Sequence, residues 1–365
     1  LPPIVFLLSA AVFAQGTSEF VLSGLLPQIA ASTGVSLGTA GLLTSLFAAG
    51  MVVGAPVLAT LGSKLPRKFA LLAFLGLFSG VHVLGALTTD FPVLLGTRAV
   101  AAFANAGFLA VALATLTSLV PADAVGRATS VLLSGVTLAC IVGVPAGTVL
   151  GQHSGWQAAF WAIAAVTAMA AAALTTTKFD DPPATSPVTR EWRVLAQPRV
   201  LTTVVKGVLV NGGTFAAFTY LGTMTTEPAW VPVVLAAFGV GSFVGVTVAG
   251  KAGPKILKAG TAVLTAVWVA AFFAAQSLPG ILTAALLAGA TAFGVGSALI
   301  AAIVASASEG APRVAGAVAT TAFNLGAVVG PAVAGAVVVD AAHARAAFWV
   351  SAAFTAAATV LRHRK

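Results

Sequence analysis

Twelve times between residues 4 and 361 the sequence runs apolar for long enough to cross a bilayer, and nothing else in it constrains the fold so tightly. A membrane-crossing helix needs about 20 mostly apolar residues. The runs lie at 4–26, 37–61, 69–88, 91–119, 128–150, 156–177, 200–222, 231–250, 258–276, 280–304, 314–338 and 345–361. Hydrocarbon offers no partner to backbone N–H and C=O groups, so only helices or a closed barrel can satisfy them there. Barrel strands would alternate apolar and polar residues over segments of about ten, and nothing in the sequence alternates that far. The expected fold is all-α, a polytopic membrane protein with twelve transmembrane helices. The first run lacks a basic leader and is followed at once by further runs, so it reads as a span and not as a cleavable signal.

Composition closes the alternatives. Hydrophobic residues make up 59% and charged residues 7%, against roughly 25% charged in an average soluble chain, and mean hydropathy is +1.05. A soluble enzyme, a nucleic-acid binder and a disordered chain are excluded. The single cysteine, Cys140, permits neither an internal disulfide nor a thiolate metal cluster. No phosphate-binding loop occurs, and Gly239, Gly241 and Gly245 have the wrong spacing for a dinucleotide fingerprint. No metal or cofactor is expected, and no enzymatic activity; uphill transport would have to draw on an ion gradient.

Charge placement sets the topology. With the N-terminus inside, the cytoplasmic loops and tail hold fifteen basic residues, among them Lys64, Arg67, Lys68, Arg127, Arg199, Lys251 and Arg313, while the external loops hold only Arg345. This is the positive-inside pattern. It spreads the positive charge over loops beside lipid headgroups and leaves no nucleic-acid surface. Both termini are expected in the cytoplasm, the chain in an inner membrane and at work as a monomer.

The two halves repeat. Gly50-x-x-x-Gly54 in span 2 recurs 191 positions later as Gly241-x-x-x-Gly245 in span 8. Gly143 with Pro145 in span 5 has a counterpart in Gly330-Pro331 of span 11, and Gln15-Gly16-Thr17 of span 1 in Asn211-Gly212-Gly213-Thr214 of span 7. The polar stretch 178–199 then reads as a cytoplasmic linker between a six-helix bundle at 1–177 and another at 200–365. Parallel six-helix repeats of this kind place a substrate at the midplane between them. The glycine pairs let helices approach closely, and the two prolines, each lacking an N–H, favour bends.

Three ionisable residues fall inside spans: Glu19, Arg98 and Lys206. A charge at a helix centre costs roughly 2.5–3.5 kcal/mol on insertion scales, which makes each a functional candidate. Glu19 and Arg98 each lie seven residues from the external end of their run, about 10 Å deep at 1.5 Å per residue. They can form a structural ion pair, or Glu19 can be a carboxyl that binds and releases a proton under the influence of Arg98. Lys206, one and a half turns from its span's end, reads as a snorkelling side chain, and His82 as a packed or lipid-edge histidine with no polar neighbour on its face. The amides Gln15, Asn105, Asn211 and Asn324, with Phe20, Phe108, Phe215 and Phe218, could line an amphipathic cavity, although each amide serves equally as interhelical glue.

Gly16-Thr-Ser-Glu-Phe-Val-Leu-Ser-Gly-Leu-Leu-Pro27, Ala40-Gly-Leu-Leu-Thr-Ser45, Asn105-Ala-Gly-Phe-Leu-Ala-Val-Ala112 and Gly241-Ser-Phe-Val-Gly245 make the chain resemble the drug:H⁺ antiporter-1 branch of the major facilitator superfamily, and within it the bacterial chloramphenicol-resistance exporters. The resemblance implies a proton-coupled exporter of a small amphipathic drug, with the drug and H⁺ as its partners. It associates Arg98 with proton coupling and Gly143, Pro145 and Gly147 with the antiporter motif of span 5. Lys64, Arg67 and Lys68 match the basic part of the span 2–3 gating motif, but Ala59, Ser63 and Pro66 stand where that motif has an aspartate and two glycines. Export of a sugar or nucleoside, and passive facilitation, are the competing expectations.

Overall fold

The computed structural model describes residues 1–61, 66–177, 191–225, 227–309, 311 and 314–361, and among these every regular element is helical. In chain order they are α1 (Pro3–Phe20), α2 (Leu22–Thr33), α3 (Leu37–Leu61), α4 (Arg67–Leu87), α5 (Phe91–Leu119), α6 (Val125–Leu138), α7 (Val144–Ser154), α8 (Trp156–Thr175), α9 (Pro198–Leu221), α10 (Val231–Ala252), α11 (Gly260–Ala274), α12 (Leu278–Ser308), α13 (Ala315–Val337) and α14 (Ala346–Val360). Among the described residues ten stretches are long and apolar enough to cross a membrane, with α6 and α7 counted as one. The ninth and twelfth runs give 15-residue helices, α11 and α14, about 22 Å long at 1.5 Å per residue. A 3₁₀ segment, Gly253–Lys258, leads into α11. Large apolar side chains such as Phe6, Val53, Phe69, Leu87, Met169 and Phe273 face outward. In water such a surface would aggregate; in lipid it is the solvated one.

The helices alternate in direction, so the bundle has two ends. One holds the junctions near 61–67, 119–125, 175–198, 252–260 and 308–315 and is called the linker end here; the other holds those near 34–36, 88–90, 155, 222–230, 275–277 and 338–345 and is called the far end. Span 1 runs seven residues beyond the expected 26, to Thr33, as two helices joined at Val21. Pro27 sits inside α2 without breaking it. Having no N–H, it leaves the carbonyl of Ser23 without its helical donor, and that carbonyl lies where a Cβ on Gly222 would stand. Span 5 is divided by one π-helical turn, Ala139–Gly143, which ends two residues before Pro145. Pro331, in the corresponding place of span 11, sits within the uninterrupted α13. Of these two proline-bearing spans, only span 5 departs from regular α-helix.

The glycines act as close-packing surfaces. Gly50 and Gly54 of α3 lie against Ala99, Ala102 and Ala106 of α5, and Gly241 and Gly245 of α10 lie against Leu286 and Ala290 of α12. Gly143 and Gly147 meet Thr17 and Val21 at span 1, as Gly326 and Gly330 of α13 meet Val208 and Gly212 of α9. Both six-helix stretches therefore use their small residues at equivalent crossings. Between the stretches, α3 packs along α13, α10 crosses α7 and the π turn, and α2 touches α9. Of the linker, residues 178–190 lie outside the described residues; beyond them Glu191–Ala196 forms a 3₁₀ turn whose Val194 is buried with Val200, Ile303 and Val318.

Candidate functional site

A buried polar cluster that includes a charge lies where α1, α4 and α5 meet. Arg98 of α5 is 1% exposed. Its Nη1 donates to Ser18 Oγ at 2.8 Å and its Nη2 to the Ser18 carbonyl at 2.8 Å. Its guanidinium carbon lies 4.5 Å from the ring centroid of Phe47 and 5.9 Å from that of Phe160. A buried cation over aromatic faces gains about 0.5–2 kcal/mol. Of the two arrangements open to Glu19 and Arg98, the ion pair is not formed: no oxygen of Glu19 comes within 4.0 Å of the guanidinium among the described residues. The reason is geometric. Consecutive residues on a helix point about 100° apart, so Ser18, and not its neighbour Glu19, is turned to Arg98. Glu19 is half-buried.

His82 departs most from expectation. It is 2% exposed and has polar partners on both sides of its ring: Nδ1 lies 2.7 Å from the carbonyl of Phe78 and Nε2 lies 2.6 Å from Ser18 Oγ. A carbonyl only accepts, so Nδ1 carries the proton, and the bare Nε2 accepts from the Ser18 hydroxyl. Phe78 and Phe160 pack on the ring at 4.3 and 5.5 Å. Neither Ser18 nor His82 stands out by charge. The depth comparison that set Glu19 beside Arg98 finds His82 once it is extended to span 3, five residues from the far end of α4.

The expected cavity residues separate into groups. Phe20 of α1 meets Phe215 and Phe218 of α9 at 5.9 and 5.8 Å, and Phe218 continues to Phe238 of α10 at 4.8 Å and Phe238 to Phe293 of α12 at 5.9 Å. This aromatic chain crosses between the two six-helix stretches; Phe238 and Phe293 belong to it and carry no polar signal by which sequence would single them out. Phe108 does not: it is fully buried with Leu8, Leu71 and Leu75 inside the first stretch, because its face of α5 points to α1 and α4. Asn211 donates across to the Phe323 carbonyl at 2.7 Å, and Asn324 donates to Thr320 within its own helix at 3.0 Å. Asn105 is buried on α5. Gln15, 1% exposed and one turn from Glu19, has no partner for either amide atom, and an unpaired buried polar group costs about 1–3 kcal/mol. Lys206 is half-buried in the third turn of α9.

The basic gating candidates lie at the linker end. Lys68 donates to the carbonyls of Thr175 and Thr177 at 2.5 and 2.8 Å, so it caps the end of α8 within its own stretch. Arg67 opens α4, Arg127 is exposed in the first turn of α6, and Lys64, Arg313, Ser63 and the tail beyond 361 lie outside the described residues. At the far end, Tyr220 Oη reaches the carbonyls of Pro331 at 3.2 Å and Gly38 at 3.4 Å, and Gln152 donates to the Pro228 carbonyl at 2.6 Å. Gly38 also lies directly against Gly335. A separate apolar cleft of about 160 Å³ lies between α1, the span 5 glycines and α8, bounded by Phe13, Thr17, Gly147 and Ile163. It is smaller than the roughly 300–1,000 Å³ of a drug-sized site.

A model of the Major Facilitator Superfamily matches residues 8–317. The chloramphenicol resistance protein of Streptomyces lividans is 46% identical over 352 residues, 92% of this chain and 88% of that protein. The inner membrane transport protein YdhP of Escherichia coli K12 is 32% identical over 341 residues, 91% and 87% of the two chains. Among solved structures, the inward-facing, occupied form of a bacterial homologue of the human lysosomal transporter Spinster superposes with a TM-score of 0.79 at 16% identity, covering 98% of this chain and 95% of that one. The nucleoside transporter NupG superposes at 0.75 with 13% identity, covering 98% and 97%; at such identities the likeness is one of fold. The chain belongs to the major facilitator superfamily, whose members carry small molecules across membranes, and it is a multi-pass bacterial membrane transporter.

Proposed function

We propose that this superfamily member is a drug/H⁺ antiporter that exports a small amphipathic antibiotic, chloramphenicol first among candidates, by alternating access between 1–177 and 200–365. The observation that carries the reading is a carboxyl, Glu19, set within a span, only half-buried and not spent on Arg98. A carboxylate locked to a guanidinium is a structural pair; one left unpaired beside it is able to exchange a proton. The substrate class follows from the name of the Streptomyces relative and from the residues between the stretches. Phe20, Phe215 and Phe218 present aromatic faces to a planar ring, and the unpaired Gln15 offers a donor and an acceptor to a polar substituent. The three rings pack on one another, so substrate must part Phe20 from α9 to enter. Both termini and the linker end are cytoplasmic by charge, and the transporter works as a monomer.

Proteoliposomes test this directly. With an imposed pH gradient, purified protein should concentrate chloramphenicol in the compartment that supplies the protons, and an uncoupler should abolish the accumulation. Accumulation that ignores the uncoupler removes the antiport reading, and equilibration without accumulation leaves a passive facilitator.

A further inference from the structure

We propose that His82 is a positioning residue for Arg98, acting through Ser18, so that three buried side chains form one hydrogen-bond series across α4, α1 and α5 that holds the guanidinium away from Glu19. The inference rests on the reading of Glu19 and Arg98 as the coupling pair. All three groups are at most 2% exposed, and bulk water does not compete for them. The donor count closes in one arrangement: Arg98 Nη1 gives to Ser18 Oγ, the Ser18 hydroxyl gives to His82 Nε2, and His82 Nδ1 gives to the Phe78 carbonyl. A second proton on the ring would point Nε2–H at Ser18 Oγ, leave the hydroxyl hydrogen without its acceptor and set two cations side by side. The neutral ring therefore fixes the serine rotamer, and the serine fixes the guanidinium.

The consequence falls on Glu19. To reach that carboxylate, Arg98 must give up the bonds of both terminal nitrogens to Ser18, since only its Nε is without a partner. The other titratable groups on the packed elements are Cys140 on the π turn, buried near Glu19, and Asp90, Arg67, Lys68, Arg127 and His153, all at helix ends. Apart from the Cys140 thiol, no titratable group on these elements lies at the depth of the series. The series is therefore the local control on how far the guanidinium influences the carboxyl. Removing a link frees Arg98 to swing to the carboxylate and hold it unprotonated, so that loading a proton needs more acid.

The test is the pH profile of uncoupler-sensitive chloramphenicol export in proteoliposomes, with KM recorded alongside. H82F and S18A should each move the pH of half-maximal export toward acid by about one unit or more, the size of effect an approaching opposite charge exerts on a carboxyl. KM should change less than about two-fold, because neither side chain lies among the drug-facing aromatics. H82Q, which keeps an acceptor near Nε2, should retain the wild-type profile. Because the links are in series, S18A with H82F should move it no further than S18A alone; independent effects would add. A wild-type profile in H82F or S18A overturns the proposal, as does an additive double variant. Should H82F fail to accumulate in membranes, S18A and H82Q decide: a shift in the first and none in the second supports the series, and any other pair of results overturns it. Wild-type export that ignores the uncoupler sinks the coupling reading itself, and is distinguished by that control.

Discussion

Helices α1 and α9 occupy matching places in the two six-helix stretches, each crossed by the Gly/Pro-bearing span four further on, yet they bury opposite kinds of group. The α1 helix places Gln15, Ser18 and Glu19 within two turns. At the corresponding depth α9 carries Asn211, already donating to a neighbouring carbonyl, and then Phe215, Phe218 and Tyr220. A charge held in hydrocarbon costs several kcal/mol and has to be supported by specific partners, here a serine, a histidine and two aromatic faces. Duplicating that support in the second stretch would double the cost without adding a second proton-binding acid. On the proposed reading the first stretch carries the proton and the second supplies most of the surface that meets the drug.

The sharpest way to break this division is Glu19→Gln. Exchange of one H⁺ for a neutral drug moves one charge, worth about 2.3 kcal/mol per 100 mV, which at about 1.36 kcal/mol per decade sustains a gradient of roughly fifty-fold. Glutamine keeps size and hydrogen-bonding reach but cannot release a proton, so accumulation should vanish while equilibrium drug binding stays within about three-fold. Uphill export by this variant in proteoliposomes would move coupling elsewhere, with Asp123 the first place to look.

The second stretch is tested by Phe218→Ala. Loss of one ring from a stacked set costs about 0.5–1.5 kcal/mol beyond burial, so drug KM should rise roughly three- to ten-fold with the pH profile unmoved. A displaced profile would show that the two stretches do not divide the work.

A smaller effect is expected from Tyr220→Phe, which deletes the hydroxyl that bridges to Gly38 and Pro331. One neutral hydrogen bond contributes about 0.5–1.5 kcal/mol, so the far-end-open population should grow roughly two- to ten-fold. Spin labels at Ser36 and Glu227, both exposed, report it as a longer distance; an unchanged distribution would mean that the hydroxyl adds nothing to closure.

The least effect belongs to the far-end turn. His343 Nδ1 lies 2.8 Å from Asp340 Oδ1, and that hydrogen bond holds the Asp340 carboxyl below its ordinary range. The contribution is present above the ordinary carboxylate value and is lost as pH falls through the lowered one. His343→Ala should return Asp340 toward its ordinary titration, read by NMR, and leave export unaltered. His82 differs in both respects, with partners at both ring nitrogens and a place in the dry interior.

Much of this was legible in residues. Period-free apolar runs gave the spans, because a helix in hydrocarbon needs length and apolarity more than a face. Two boundaries escaped for local reasons: Pro27 reads as a stop but is carried inside α2, and the π turn before Pro145 leaves no compositional trace. The rarity of charge singled out Glu19 and Arg98, but rarity says nothing about which neighbour a side chain faces. The turn of one residue on α1 gave Arg98 to Ser18, and with it brought His82 into the site. Phe108 failed in the same way, sharing a helix with Arg98 but not its direction.

At two points the far-end seam is main chain against main chain: Gly38 on Gly335, Gly222 on the Ser23 carbonyl that Pro27 sets free. Such a joint has no dial. A side chain can be lengthened, shortened or recharged by degrees, whereas here the smallest possible change, one methyl group, already meets backbone atoms. On the proposed reading, selection for a bulkier or differently shaped antibiotic can therefore work through the phenylalanines, where graded replacements exist, but any change at these glycines acts as a wedge that props the door. On that reading, resistance to new compounds should accumulate in the aromatic chain, and substitutions at these glycines should yield only dead transporters or ones held permanently ajar.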